Sequence, residues 1–315
     1  MPEISFIIST YRPTDFNRLE ANLHATVDTT YEIIRIDNPG RYSLTEAYNI
    51  GAKQAQGTFL CFVHEDVIFC DPHWDAAVLE RFTLRPDLGL LGVAGSTLRP
   101  DLPIGFALGD PQLDRVTIRG IDETTYSITE NRCPYPIEEC AVRVLDGVLL
   151  FTRQEIWQRF PFDQNILGFH FYDIDFSFRI AQHYRVEVAP MLMLEHKSTK
   201  FTAPPKGCRA DFNASWVSAA LHYAPRHDDL KFDRLGSEAS VRVKRFWLSF
   251  ICLSGCPFIL RWQYSGRLQL PLSQSFFGAP IFFPGVFNYL KRQCHKRRRQ
   301  QQQKSKNASE QSRLQ

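Results

Sequence analysis

Four short segments of this 315-residue chain carry side chains that could do chemistry together. The first is His64-Glu65-Asp66, three polar residues directly after the apolar run Thr58–Val63. Carboxylate oxygens suit a hard divalent cation, imidazole is acceptable to Mn2+, and such a cation commonly bridges protein to phosphate. A solvated loop at a strand end would also account for the triplet. The second is Asp173-Ile174-Asp175, near Gly168 and His170. On a helix, residues two apart project roughly 200° apart, so these carboxylates cannot share one task. One can face a site while the other stabilises the helix N-terminus or pairs with Arg179 at i+4. The third is His196, which follows Met191–Leu194. A lone histidine at a strand end is more often structural than a ligand. The fourth is Asp146-Gly147, between two apolar runs. It could be a plain turn, or a place where glycine lets a ligand approach closely.

These segments must be positioned by regular elements, and the pattern supplies them. Ile4–Ile8, Tyr31–Ile36, Thr58–Val63 and Leu88–Ala94 read as strands. Thr14–His24, with Thr14 as N-cap, and Pro72–Leu84 read as helices between them. Ser43-Leu-Thr-Glu46 fits a capping box that starts a helix running to about residue 56. Near-continuous apolar strands alternating with helices indicate a mostly parallel sheet covered on both faces. Ligands sit at the carboxyl ends of such strands, here Ser9–Pro13, Asp37–Gly40 and His64–Asp66. Residues 97–140, rich in Pro and Gly, read as short strands and loops. Strands are then expected at Ala141–Leu145, Gly147–Thr152, Arg185–Ala189 and Met191–Glu195. Helices are expected at Gln154–Arg159, Tyr172–His183 and Asp211–His222.

The order of the motifs resembles glycosyltransferase family 2. The nucleotide-sugar half is carried by Ser-Thr-Tyr-Arg-Pro after the first strand, Glu-Ile-Ile-Arg-Ile-Asp37-Asn38, Tyr48-Asn49-Ile-Gly51, and Phe-Val-His64-Glu65-Asp66-Val67. Val144-Leu-Asp146-Gly147 resembles the acceptor-side segment, and Gly168 to Arg179 with His196 the catalytic helix and distal metal ligand. The resemblance covers about residues 3–200 and implies a GT-A-type α/β domain over residues 1–238. It implies that Thr10 and Tyr11 line the nucleoside pocket and that Asp37 hydrogen-bonds the base. Asn49, His64, Glu65, Asp146 and Gly147 join them as nucleotide-sugar contacts. Asp66 and His196 would hold Mn2+ or Mg2+. Asp173 matches the general base, with Asp175 and Arg179 supporting it. His64 departs from the family, which commonly has Asp there. The Gln-x-x-Arg-Trp motif of processive synthases is absent, since Phe258 stands where Gln should precede Arg261-Trp262.

The resemblance thus implies an inverting, non-processive transferase with a nucleotide-sugar donor and a glycan or lipid-linked acceptor. The alternative is a catalytically silent module of the same fold, which His64 favours. Composition bounds both. Hydrophobic residues make up 44% and charged residues 23%, as in a globular protein. Eight cysteines without paired spacing suggest a reducing cytoplasm, and Met1-Pro2-Glu3 leads into a strand-like run without the basic region of a secretory signal. The net charge of +3 conceals a division: residues 239–315 hold 14 basic and one acidic residue, leaving 23 basic and 33 acidic before them. Residues 239–290 form a basic, aromatic extension, and residues 291–315 a basic, Gln-rich end. Trp, Phe and Tyr beside Arg and Lys suit an anionic membrane surface, so peripheral attachment is expected. Packing on the catalytic body as a C-terminal subdomain, or an RNA- or partner-binding arm, are the lesser expectations for this extension.

Overall fold

The computed structural model describes residues 1–98, 105–108, 111–121, 128–166 and 168–197. The expected helix at 211–222, the extension at 239–290 and the end at 291–315 lie outside these residues. The described elements run β1 (Ile4–Thr10), α1 (Pro13–Thr26), β2 (Tyr31–Asp37), α2 (Leu44–Gln54), β3 (Phe59–Val63), β4 (Val67–Phe69) and α3 (Trp74–Leu84). They continue with β5 (Leu88–Gly92), β6 (Ala94–Ser96), β7 (Asp114–Val116), β8 (Ile118–Ile121), β9 (Ile128–Asn131), β10 (Val144–Leu145) and β11 (Leu149–Arg153). The last four are α4 (Gln154–Arg159), α5 (Tyr172–Ile180), β12 (Arg185–Val188) and β13 (Leu194–His196).

The central sheet has the order β12-β5-β11-β3-β1-β2. Only β11 runs against its neighbours, so the expected mostly parallel α/β sheet is present. Alternation along the strands sends side chains to two cores. Phe6, Ile8, Cys61 and Val63 pack with Leu19, Leu23, Val78 and Phe82 on one face. Ile7, Leu60 and Phe62 pack with Ala47, Tyr48 and Phe176 on the other. Burying such apolar surface is the main drive for the fold. Gly51 lets α2 lie close to the sheet, because a Cβ there would stand 2.4 Å from Ile7 Cγ2.

Several boundaries differ from the sequence reading. Helix α1 starts at Pro13, with Arg12 rather than Thr14 at the N-cap and no side-chain cap. The expected strand Leu88–Ala94 divides at Val93, and its second half, β6, joins a separate sheet with β10 and β7. The strand expected at Met191–Glu195 begins only at Leu194, where antiparallel pairing with the short β4 sets its register. The capping box is present: Glu46 N–H donates to Ser43 Oγ, and Ser43 N–H to Glu46 Oε2. No described helix is long and apolar enough to cross a membrane.

Candidate active site

Parallel pairing brings the carboxyl ends of β1, β2 and β3 to one edge of the sheet. Thr10 stands opposite Asp37. Strand β11 enters at the same edge, because it is antiparallel and Leu149 pairs with Val63. Asp146, Gly147 and Val148 therefore arrive beside His64, whose N–H donates to the Val148 carbonyl at 3.1 Å. The β4–β13 pairing places His196 opposite Val67 and hence next to Asp66.

Three of the expected residues form a cluster. One donor atom each from His64, Asp66 and His196 lies within 4.8 Å of the other two. Asp66 Oδ1 and His196 Nε2 are 3.4 Å apart, and both side chains keep about a fifth of their surface exposed. Burial would raise the Asp66 pKa, but the hydrogen bond and charge of His196 outweigh it and hold the carboxyl below its ordinary value. Burial would lower His196, but Asp66 outweighs it and raises the imidazole. Two imidazoles and a carboxylate so gathered fit a divalent transition-metal ion, since those are its ordinary ligands.

Asp173 sits in the first turn of α5. Its Oδ2 accepts the Gly147 N–H at 2.9 Å and its Oδ1 the Ile174 N–H at 2.9 Å. Burial and the neighbouring charge of Asp146 nevertheless push its pKa up to about 7. Helix α5 is fixed at its start by Phe171, whose φ of 67° is left-handed and rare for a bulky side chain. Further along it, the Leu145 N–H donates to Ser177 Oγ at 3.0 Å and docks the helix on β10. The Tyr172 hydroxyl donates to the Gly147 carbonyl at 3.0 Å and lies 2.9 Å from His64 Nε2. A Cβ on residue 147 would stand 1.9 Å from that hydroxyl, so only glycine fits.

Other expected residues act one step back. Glu65 is buried, and its carboxylate accepts the Thr10 hydroxyl, the Tyr11 N–H at 3.2 Å and the Arg12 N–H at 3.0 Å. Glu65 and Thr10 are thus engaged with each other, and together they shape the loop that presents the exposed Tyr11. Asp37 is exposed at the end of β2 and paired with Arg35 at 2.7 Å. Asn38 holds the following turn through Ser9 Oγ and both backbone groups of Tyr42. Asp175 pairs with Arg179 at 2.7 Å, and Arg179 also donates to the Pro161 carbonyl at 2.8 Å.

Asn49 lies further from this edge. It is buried on α2, its amide N–H donates to the Phe162 carbonyl, and its oxygen accepts from Trp157 Nε1 and the Phe162 N–H. It holds the segment leading to α5. Tyr172 and Asn38 were missed as site residues. The sequence signal for Tyr172 was its place immediately before Asp173.

The model of a Glycosyltransferase like family matches residues 6–208. No curated protein matches. Among solved structures, GalNAc-T7 with UDP, GalNAc and Mn2+ is 12% identical with a TM-score of 0.45, covering 63% of this chain and 44% of that one. This chain therefore spans less than half the length of GalNAc-T7. S. aureus TarS 1-349 in complex with UDP is 12% identical with a TM-score of 0.42, covering 86% of this chain and 76% of that one.

Proposed function

The chain belongs to this glycosyltransferase-like family, and on that premise we propose that it is an inverting, metal-dependent, non-processive transferase. It moves one sugar from a nucleotide-sugar donor to a hydroxyl of a glycan or lipid-linked acceptor. The observation that carries this reading is the tie between two groups. Asp173, with a pKa of about 7, is bonded to Gly147, whose carbonyl takes the proton of the Tyr172 hydroxyl beside His64. A base able to accept a proton near neutral pH thus adjoins a cluster suited to a cation.

In the proposed reaction Asp173 accepts the proton of the acceptor hydroxyl as that oxygen attacks the anomeric carbon. The bond from this carbon to the diphosphate oxygen breaks on the opposite face, so one displacement inverts the centre. General-base assistance of this kind contributes about 10²–10⁴ in rate. Asp66 and His196 would hold the cation. A Mn2+ or Mg2+ ion there supplies positive charge for the departing nucleoside diphosphate. Tyr11 and Asp37, at the adjoining strand ends, would meet the nucleoside, with Glu65 holding the Tyr11 loop. The basic, aromatic residues after 238 would hold the protein on an anionic membrane bearing its acceptor.

The test is a panel of nucleotide sugars with Mn2+ and glycan or lipid-linked acceptors, followed by proton NMR. The reading requires turnover of one donor with inversion at the anomeric carbon. Retention of configuration would remove the single displacement. Binding of a glycan without turnover of any donor would favour the silent module.

A further inference from the structure

Two cysteines that the proposed reaction does not use lie against each other. Cys133 and Cys140 are seven positions apart, a spacing that by itself signals nothing, yet the fold brings their Sγ atoms to 3.3 Å. Both are free thiols, Cys133 half-buried and Cys140 buried. Cys133 follows β9, and its N–H donates to Thr117 Oγ1 at 3.3 Å. Cys140 ends a single 3-10 turn over Ile137–Glu139, and its carbonyl accepts the Val188 N–H of β12 at 3.0 Å. The loop between the two is held in shape. Pro134 and Pro136 restrict its backbone. The Arg115 guanidinium lies 3.7 Å from the centre of the Tyr135 ring, and Arg115 Nε–H donates to the Glu139 carbonyl at 3.3 Å. Among the described residues no third ligand atom joins the two sulfurs, so they lack the four ligands that a structural zinc takes.

We propose that Cys133 and Cys140 form a reversible disulfide when the protein meets hydrogen peroxide, and that this bond braces the sheet carrying His196 against the central sheet. The inference stands independently of the transferase reading. A disulfide sets its sulfurs about 2 Å apart, so these two have roughly 1 Å left to close. Burial, with the hydrogen bond and charge of Cys133 adding to it, pushes the Cys140 thiol up to about 12, so Cys140 stays protonated at neutral pH. The first step therefore falls to the more exposed Cys133. Its thiolate attacks one peroxide oxygen, the O–O bond breaks, and the hydroxide released takes up the proton that Cys133 gave up. Cys133 is then a sulfenic acid. Cys140 Sγ attacks that sulfur, the S–O bond breaks, and the oxygen leaves as water with the Cys140 proton. Two thiols and one peroxide thus give one disulfide and two waters. A thiol reductant reverses the change by exchange. The bond joins the end of β9, which pairs through β8 to β13, to a residue held on β12.

The test treats the reduced full chain with hydrogen peroxide, alkylates the remaining thiols and digests with trypsin. Residues 133–143 emerge as one peptide, because no Lys or Arg lies between Arg132 and Arg143. The expected peptide carries no alkyl group and is lighter by two hydrogens. Cleavage after Glu138 leaves its two pieces joined until dithiothreitol parts them. Closing this loop should also raise Tm by about 5 °C, a gain reversed by dithiothreitol and absent in Cys133→Ser. Alkylation of both cysteines after peroxide overturns the proposal and needs no variant. So does Cys133 recovered as a sulfinic acid with Cys140 alkylated, or Cys133 joined to any other cysteine. An equal rise in Tm in Cys133→Ser overturns the bracing role.

Discussion

Asp173 receives hydrogen bonds from two backbone amides, which favour its charged form, yet burial and Asp146 prevail and its pKa rises to about 7. The rate of transfer should follow this titration. We expect kcat/KM to rise with pH through about 7 and level above it. Asp173→Asn should lower kcat by about 10²–10⁴ while nucleoside diphosphate affinity changes little. Unimpaired turnover in that variant would remove Asp173 from the base role. Glu65 makes a different prediction. Glu65→Gln keeps one acceptor oxygen where the carboxylate served three donors. The expected cost is about 1–3 kcal/mol in urea denaturation, with a raised donor KM from the loosened Tyr11 loop.

At the scale of elements, the onset of α5 joins Asp173 to the cluster around His64. It is clamped from α2, where the Leu44 N–H meets the Gly168 carbonyl and Asn49 meets Phe162 and Trp157. Asn49→Ala should cost about 1–3 kcal/mol for each buried group left without its partner, read by denaturation. Activity should fall with it, because the segment that leads to Asp173 is released. The sequence disclosed the elements with strong local signals. The Ser43–Glu46 box marked the start of α2, and Gln154–Arg159 has the bounds expected of it. It hid whatever depends on distant partners. Strand β4 has three residues and no periodicity to read, and β13 takes its register from β4 and β8. The structural ties of Asn49 were hidden because its buried partners lie more than a hundred residues away. Its place before Asp173 marked Tyr172, but the contact with His64, 108 residues distant, could not be read.

At the scale of the whole molecule, the raised pKa of Asp173 has a thermodynamic consequence. Its folded value of about 7 lies above its unfolded value, so the folded state binds the proton more tightly. This group therefore lowers stability as pH rises from about 4 to about 7. Comparing urea denaturation across that window, Asp173→Asn should lack this part of the decline. The division of charge makes a separate prediction. Fourteen basic residues against one acidic after residue 238 should bind anionic vesicles, with binding lost as salt rises. Equal co-sedimentation with neutral vesicles would contradict an electrostatic anchor. The most direct test of the central claim is thermal stabilisation of the full chain by a panel of nucleoside diphosphates, with and without Mn2+. The account predicts that one diphosphate raises Tm only with the metal, that Asp66→Asn abolishes the rise, and that Asp173→Asn retains it. No rise with any diphosphate, or an equal rise in Asp66→Asn, would contradict it.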